Sequence, residues 1–217
     1  MSVLTIKKLL EEAAIFAISE SKVTHELLYG VTDGKAVGTH IEKLFRSSLE
    51  TKYDFSVKGN VASGLDLPTL NVDIKTTSIR QPQSSCPFRS ARQKIFGLGY
   101  HLLVFVYEKK DDIKTKAGRL NFLHTVFVQQ ERTADFTLTK LLNDAKKAGA
   151  NKEDIVSILN DRNLPVDEIE VEKIAEEILL KKLDQGYLTI SNALQWRLQY
   201  QRVIDFAGKE KGILKVG

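Results

Sequence analysis

The stretch SGLDLPTLNVDIKTTS, residues 63–78, places an aspartate, Asp73, two positions before a lysine, Lys75. On a strand this spacing puts both side chains on one face and turns Val72, Ile74 and Thr76 to the other. A second acid, Asp66, lies seven residues before Asp73, across a turn that contains Pro68. If the chain reverses around Pro68 and Thr69, the two aspartates oppose each other with Cβ atoms about 5 Å apart. Two hard oxygen ligands so placed can share a Mg²⁺ that keeps several waters and leaves positions for a substrate phosphate. Such an ion lowers the pKa of its water and offsets charge in a phosphorane-like transition state. The neighbouring lysine can orient or deprotonate the attacking water, or neutralise the phosphate. An acid two positions before a base occurs about four times by chance in this composition, so the spacing alone carries nothing. The weight comes from the apolar strand, from the acid beside the turn, and from the hydroxyls of Thr76, Thr77 and Ser78.

A second signal is charge placement. From Thr76 to Tyr107 there is no Asp or Glu, whereas Arg80, Arg89, Arg92 and Lys94 are present. A gap of that length arises by chance on the order of 1% of the time, and an anionic ligand beside the acids explains it. The Arg, Gln and Ser side chains of SIRQPQSSCPFRSARQK suit phosphate and base-edge contacts. A third, weaker signal is the acid-free run from Gln185 to Ile204, with Asn192, Gln195, Arg197, Gln199, Gln201 and Arg202 on or near an expected last helix. Two helices around GYLTIS have the outline of a helix-turn-helix. Arg197 is then a DNA contact, while Trp196, Leu198 and Tyr200 fit a core or dimer contact.

Asp66, the seven-residue step to Asp73, and Lys75 resemble the motif of PD-(D/E)XK nucleases. The wording DLPTLNVDIKTTS is most similar to the branch of the methyl-directed mismatch-repair nicking enzyme and related type II restriction endonucleases. The resemblance covers roughly residues 40–100. Gly64 and Leu65 stand where the name-giving proline would precede the first acid, and the second acid is Asp rather than the commoner Glu. The resemblance implies a restriction-endonuclease-like α/β core, a mixed sheet flanked by helices, here followed by a helical C-terminal part. It also implies Mg²⁺-dependent hydrolysis of DNA phosphodiesters, leaving 5′-phosphate and 3′-hydroxyl ends. Asp66 and Asp73 hold the metal, the carbonyl of Ile74 is a further ligand, and Lys75 positions or activates water. A further acid often comes from the preceding helix, the position of Glu42. Glu42 reads equally well as the capping-box partner of Thr39. A small chain without ATPase or methyltransferase motifs fits a type II restriction endonuclease acting on double-stranded DNA. A repair nicking or structure-specific nuclease, and an inactive DNA-binding protein, are the alternatives. Symmetric double-strand cleavage leads to the expectation of a homodimer.

These residues need elements to hold them. Leu4, Leu9, Ala13, Phe16 and Ala17 predict an amphipathic helix near residues 3–18, and GVTDGKAVGTH reads as a loop before a helix capped by Thr39. Strands are expected at 53–58, 64–67, 71–77, 101–108 and 120–130. The segment 79–100 is basic, and its half from about Arg89 is helical. Beyond Glu131 the pattern is helical. Asn151 caps one helix, 168–184 is amphipathic and stopped by Gly186, and Ser191 caps a last helix ending near Phe206. A catalytic core over 1–135 and a helical region over 136–217, packing on it as part of one domain, follow.

The remaining residue types exclude other chemistries. The 217 residues carry a formal charge of +4, mildly basic, which permits a polyanionic partner. One cysteine, Cys86, rules out an internal disulfide and a thiolate zinc site, and a reducing, cytoplasmic compartment is expected. The four histidines lack metal-ligand spacing. GVTDGK is one residue short of a phosphate-binding loop, with Ala36 where Ser or Thr is needed. The longest apolar run, Leu102–Tyr107, is far short of the roughly 20 residues of a membrane span. Lys7, Lys8, Glu11 and Glu12 interrupt any signal-peptide pattern.

Overall fold

The computed structural model describes residues 2–54, 64–86, 90–191 and 196–217. In chain order the elements are β1 (Ser2–Val3), α1 (Ile6–Glu20), β2 (Thr24–His25), α2 (Gly34–Glu50), β3 (Tyr53–Asp54), β4 (Val72–Ser78), β5 (Gln83–Cys86), α3 (Arg92–Phe96), β6 (His101–Asp112), β7 (Ala117–Val128), α4 (Phe136–Lys147), α5 (Lys152–Asp161), α6 (Glu168–Leu180), β8 (Thr189–Ile190), β9 (Trp196–Gln199), α7 (Gln201–Phe206) and β10 (Ile213–Lys215).

The main sheet runs β10-β7-β6-β4, with β2 also paired to β7. β4 lies parallel to β6, whereas β6–β7 and β7–β10 are antiparallel, so the sheet is mixed. β6 is buried on both faces, which explains its continuous apolar run. Leu103, Phe105 and Tyr107 turn toward α1 and α2, and Leu102, Val104 and Val106 face the second sheet and α7. On the first face, Phe16 of α1 and Phe45 of α2 stand 5.0 Å apart and Phe45 meets Phe105 at 5.1 Å. The second sheet has the order β5-β9-β8. A third cluster joins α3 to the helices α4–α6 through Ile95, Leu142, Ile155 and Ile174.

The α/β architecture is the expected one, a mixed sheet flanked by helices. Three local readings change. Helix α2 begins at Gly34, not after Thr39, because the Asp33 carboxylate accepts the backbone N–H groups of Lys35 and Ala36 and caps the helix six residues earlier. Thr39 and Glu42 are therefore interior residues, and the capping-box reading of Glu42 is removed. The helix expected after Ser191 gives way to strand β9, followed by the six-residue α7. The order Trp196, Arg197, Leu198, Gln199, Tyr200 alternates apolar and polar with period two, the signature of a strand. The helix-turn-helix reading goes with it, while Asn192 and Gln195 lie outside the described residues.

Gly186 does not stop a helix, since α6 already ends at Leu180. A Cβ at Gly186 would sit 2.2 Å from the carbonyl oxygen of Ala134. The absent side chain lets residues 186–188 run against 132–136, where the N–H of Tyr187 donates to the Arg132 carbonyl (2.9 Å) and that of Leu188 to the Ala134 carbonyl (3.1 Å). Of the strand expected at 53–58, residues 53–54 form β3 and the rest lie outside the described residues. Among the described residues, no helix is long and apolar enough to cross a membrane.

Candidate active site

Strand β4 carries the acid–lysine pair. Val72 and Ile74 are fully buried, and Gly38 of α2 lies against the backbone of Thr76. This burial fixes the strand's register and puts Asp73, Lys75 and Thr77 on the opposite face. Before β4 the chain reverses through a short 3₁₀ turn, Pro68–Leu70, and Asn71 takes the left-handed conformation at φ 55°. Leu67 and Val72 then pair as an antiparallel bridge, which brings Asp66 beside the start of β4.

The Asp66 carboxylate accepts the backbone N–H of Ile74 at 2.7 Å and shares a side-chain hydrogen bond with Asp73. Lys75 Nζ lies 2.6 Å from Asp73 Oδ2. Glu42 approaches from α2, close enough to feel Asp66, Lys75 and Asp73. All four candidate catalytic residues thus meet at one place. Asp73 is 7% exposed. Burial pushes its pKa up to about 6, with Asp66 adding to the rise and Lys75 opposing it. Burial likewise raises Glu42 to about 7, with Asp66 and Asp73 contributing and Lys75 opposing. Burial works against the Lys75 ammonium, but Asp73, Asp66 and Glu42 outweigh it and hold its pKa above the ordinary lysine value. The site therefore holds more negative charge than one lysine can balance.

Sequence reasoning missed the support around these residues. Arg46, one turn after Glu42, donates from Nη1 to the backbone carbonyl of Asp66 at 3.2 Å and from Nε to Glu50 at 3.1 Å. The i, i+4 step from Glu42 places it on the same side of the helix, a signal present in the sequence. Tyr200 is fully buried, and its hydroxyl lies 2.5 Å from Ser84 Oγ. Its pKa, like that of Tyr100, is raised by burial, and the charge of Asp73 adds to both. Such contacts join residues more than a hundred positions apart, and no local pattern signals them.

The basic candidates separate. Arg80 is exposed in the turn after β4, and Arg197 is exposed on β9. Arg92 reaches Glu170 (3.2 Å) and Glu177 of α6 and lies over the Phe96 ring. Lys94 is buried and its charge faces Asp135, while burial lowers its pKa. Arg92 and Lys94 thus serve contacts within the protein. Arg89 lies outside the described residues.

The chain is similar to known proteins of one class, the type II restriction enzymes, which are DNA endonucleases. The family model for type II restriction enzyme NspV matches residues 3–215. A curated relative, type II restriction enzyme NspV of Nostoc sp. (strain ATCC 29411 / PCC 7524), is 60% identical over 216 residues, covering 100% of this chain and 98% of the relative. The chain belongs to the NspV family of type II restriction enzymes. No solved structure matches it.

Proposed function

We propose that this restriction endonuclease hydrolyses phosphodiesters of double-stranded DNA at the cluster of Asp66, Asp73, Lys75 and Glu42, in the manner of the PD-(D/E)XK nucleases, with Mg²⁺ as its cofactor. The observation that carries the reading is the crowding of acids: Asp66 and Asp73 share a hydrogen bond, and Glu42 stands near its half-ionised point at neutral pH. A bound divalent ion stabilises all three carboxylates in their charged form.

The donor set fits such an ion. Among the described residues no three His, Cys, Asp or Glu side chains form a cage for a metal. Two carboxylates, Asp66 and Asp73, with the carbonyl of Ile74, instead suit a cation that keeps several waters. When bound, the ion supplies Lewis-acid stabilisation of the phosphate and a more acidic water. Asp66 also fixes the start of β4 through the Ile74 N–H. Lys75, held by Asp73, aims its ammonium at the place where charge builds on the phosphate oxygens. Glu42 can accept or hold a proton near neutral pH. A homodimer is the assembly that cuts both strands of a twofold site symmetrically, and the cytoplasm is the compartment in which such an enzyme meets DNA.

Supercoiled plasmid tests the reading. Discrete fragments with Mg²⁺, and none with chelator, are the expected result. Nicking alone indicates the repair-type activity, retardation without cleavage indicates a binding protein, and no effect overturns the reading.

A further inference from the structure

The second sheet presents a face unlike the rest of the molecule. In the antiparallel pairing of β5 with β9, Gln83 stands opposite Gln199, and Ser85 opposite Arg197. Opposed residues point to the same side, and so do residues two apart on a strand. One face of the ribbon therefore carries Gln83, Ser85, Arg197 and Gln199. The last three are exposed and Gln83 is half-buried. The other face carries Ser84, Cys86 and Leu198, packed into the core with Tyr200. The outer face has no carboxylate and no large apolar side chain. That argues against a protein partner, whose contact surfaces are rich in aromatic residues and methionine. Among the described residues no ion pair involves Arg197 or the nearby Arg80.

The ribbon is anchored to the catalytic strand. Thr77, two residues past Lys75 on the same face of β4, accepts the backbone N–H of Gln83 at 2.9 Å and donates to its carbonyl at 3.0 Å. The N–H of Tyr200, next to β9, donates to the carbonyl of Pro82 at 2.7 Å. Thr77 is about 7 Å along the strand from Lys75, and four ribbon residues span about 13 Å. A major groove is about 12 Å wide and admits a two-stranded ribbon.

Resting on the reading of the protein as a DNA endonuclease, we infer that the outer face of the β5–β9 ribbon reads base edges in the major groove of the duplex being cut. Glutamine can bond both N6 and N7 of adenine, and arginine both O6 and N7 of guanine. Gln83 and Gln199 read adenine, Arg197 reads guanine, and Ser85 accepts or donates between them. Arg80, at the turn joining the catalytic strand to the ribbon, holds a phosphate.

The test begins by sequencing the ends of plasmid fragments cut by the wild-type enzyme with Mg²⁺, which defines the site. Synthetic duplexes with that site, with each base pair of it substituted, and with no site are then compared. Gln83→Ala, Arg197→Ala and Gln199→Ala should each weaken binding of the site duplex about tenfold or more. Each should abolish discrimination at one base pair and leave the others intact. The two glutamine variants should bind the duplex without a site within about twofold of wild type. Gln199→Asn, which keeps the amide and shortens its reach, should lose the same discrimination. Because these side chains are on the open face, melting temperatures should stay near wild type. Unchanged discrimination in all variants, or equal weakening for duplexes with and without the site, overturns the inference. A wild-type protein that cuts nothing overturns the nuclease reading instead. The ribbon is then tested by selection from randomised duplexes, where wild type should enrich one sequence and the triple variant none; equal enrichment by both overturns it.

Discussion

The Asp73–Lys75 face of β4 and the outer face of the β5–β9 ribbon, linked through Thr77 and Gln83, carry opposite chemistry. On β4, Asp73 and Lys75 are withdrawn from solvent and paired at 2.6 Å; burial raises the pKa of Asp73, and the neighbouring acids raise that of Lys75 against burial. On the ribbon, Ser85, Arg197 and Gln199 are open to solvent, with no carboxylate among them. Both faces rest on buried apolar strands, so the difference is one of environment. Chemistry needs a few groups held in fixed geometry where water does not weaken their fields. Recognition needs donors and acceptors that remain available until the partner arrives. Single substitutions should separate the two faces: on β4 they should affect rate, and on the ribbon they should affect which DNA is chosen.

After the carboxylates themselves, the largest effect is expected at Lys75. Removing a stabiliser of developing charge commonly costs about 10²–10³ in rate. Lys75→Ala should lower single-turnover cleavage by that factor with binding little changed, and Lys75→Arg should rescue little, since the broader guanidinium does not reproduce the compact ammonium. A rate within about threefold of wild type would place Lys75 outside the chemistry.

Arg46 should act through Asp66. Arg46→Ala, freeing the carbonyl next to the carboxylate proposed to bind the metal, should lower the single-turnover rate about tenfold and raise the Mg²⁺ needed for half-maximal rate. Arg46→Lys should restore part of it. A slower rate at unchanged Mg²⁺ requirement would assign Arg46 a purely structural role.

The buried acids give a stability test whose sign is fixed. Asp73 titrates near 6 and Glu42 near 7 in the fold, against 3.8 and 4.5 ordinarily. At these two groups the native state binds more protons than the unfolded state between about pH 4 and 7, so their contribution to stability falls as pH rises through that window and levels off above it, opposed by groups with lowered pKa such as Glu12, Asp111, His40 and His101. In chelator this contribution should fall by several kcal/mol, at most about 6. Glu42→Gln should reduce the fall, and Mg²⁺ should counter it at neutral pH. A Glu42→Gln variant whose stability in chelator follows pH from 4 to 7 as the wild type's does would contradict the crowded-acid account.

The smallest effects separate the basic residues. Arg80→Ala should lower the slope of log affinity against log salt by about 1, as expected for one lost phosphate contact. Arg92→Ala should leave that slope unchanged and destabilise the fold by about 1 kcal/mol, because Glu170 and Glu177 lose their partner.

Much of the site was legible because its logic is local. The step from Asp66 to Asp73 crosses one turn, and Asp73 and Lys75 are two apart on a strand whose other face is visibly apolar. The architecture followed from the same periodicities. Glu42 was ambiguous because Thr39, three residues before it, suits a helix cap, and only the two backbone bonds of Asp33 move the cap away from it. Residues 196–200 were misread because a lone alternating run can also be fitted to a helix, and its partner strand, β5, lies more than a hundred residues earlier. Arg92 and Lys94 were read as DNA contacts from charge alone. Their carboxylate neighbours, on α6 and at Asp135, come from the later part of the chain.

The most direct test of the central claim, that the acids of β4 and its preceding turn form the metal-dependent cleavage site, is Asp73→Asn assayed for binding and cleavage on the same duplex with Mg²⁺. The substitution removes a proposed metal ligand and also lessens repulsion of the phosphates. The account predicts cleavage reduced by at least about 10³, with affinity for the duplex equal to or above wild type. Cleavage at the wild-type rate, or loss of binding in step with loss of cleavage in a protein that melts normally, would contradict it.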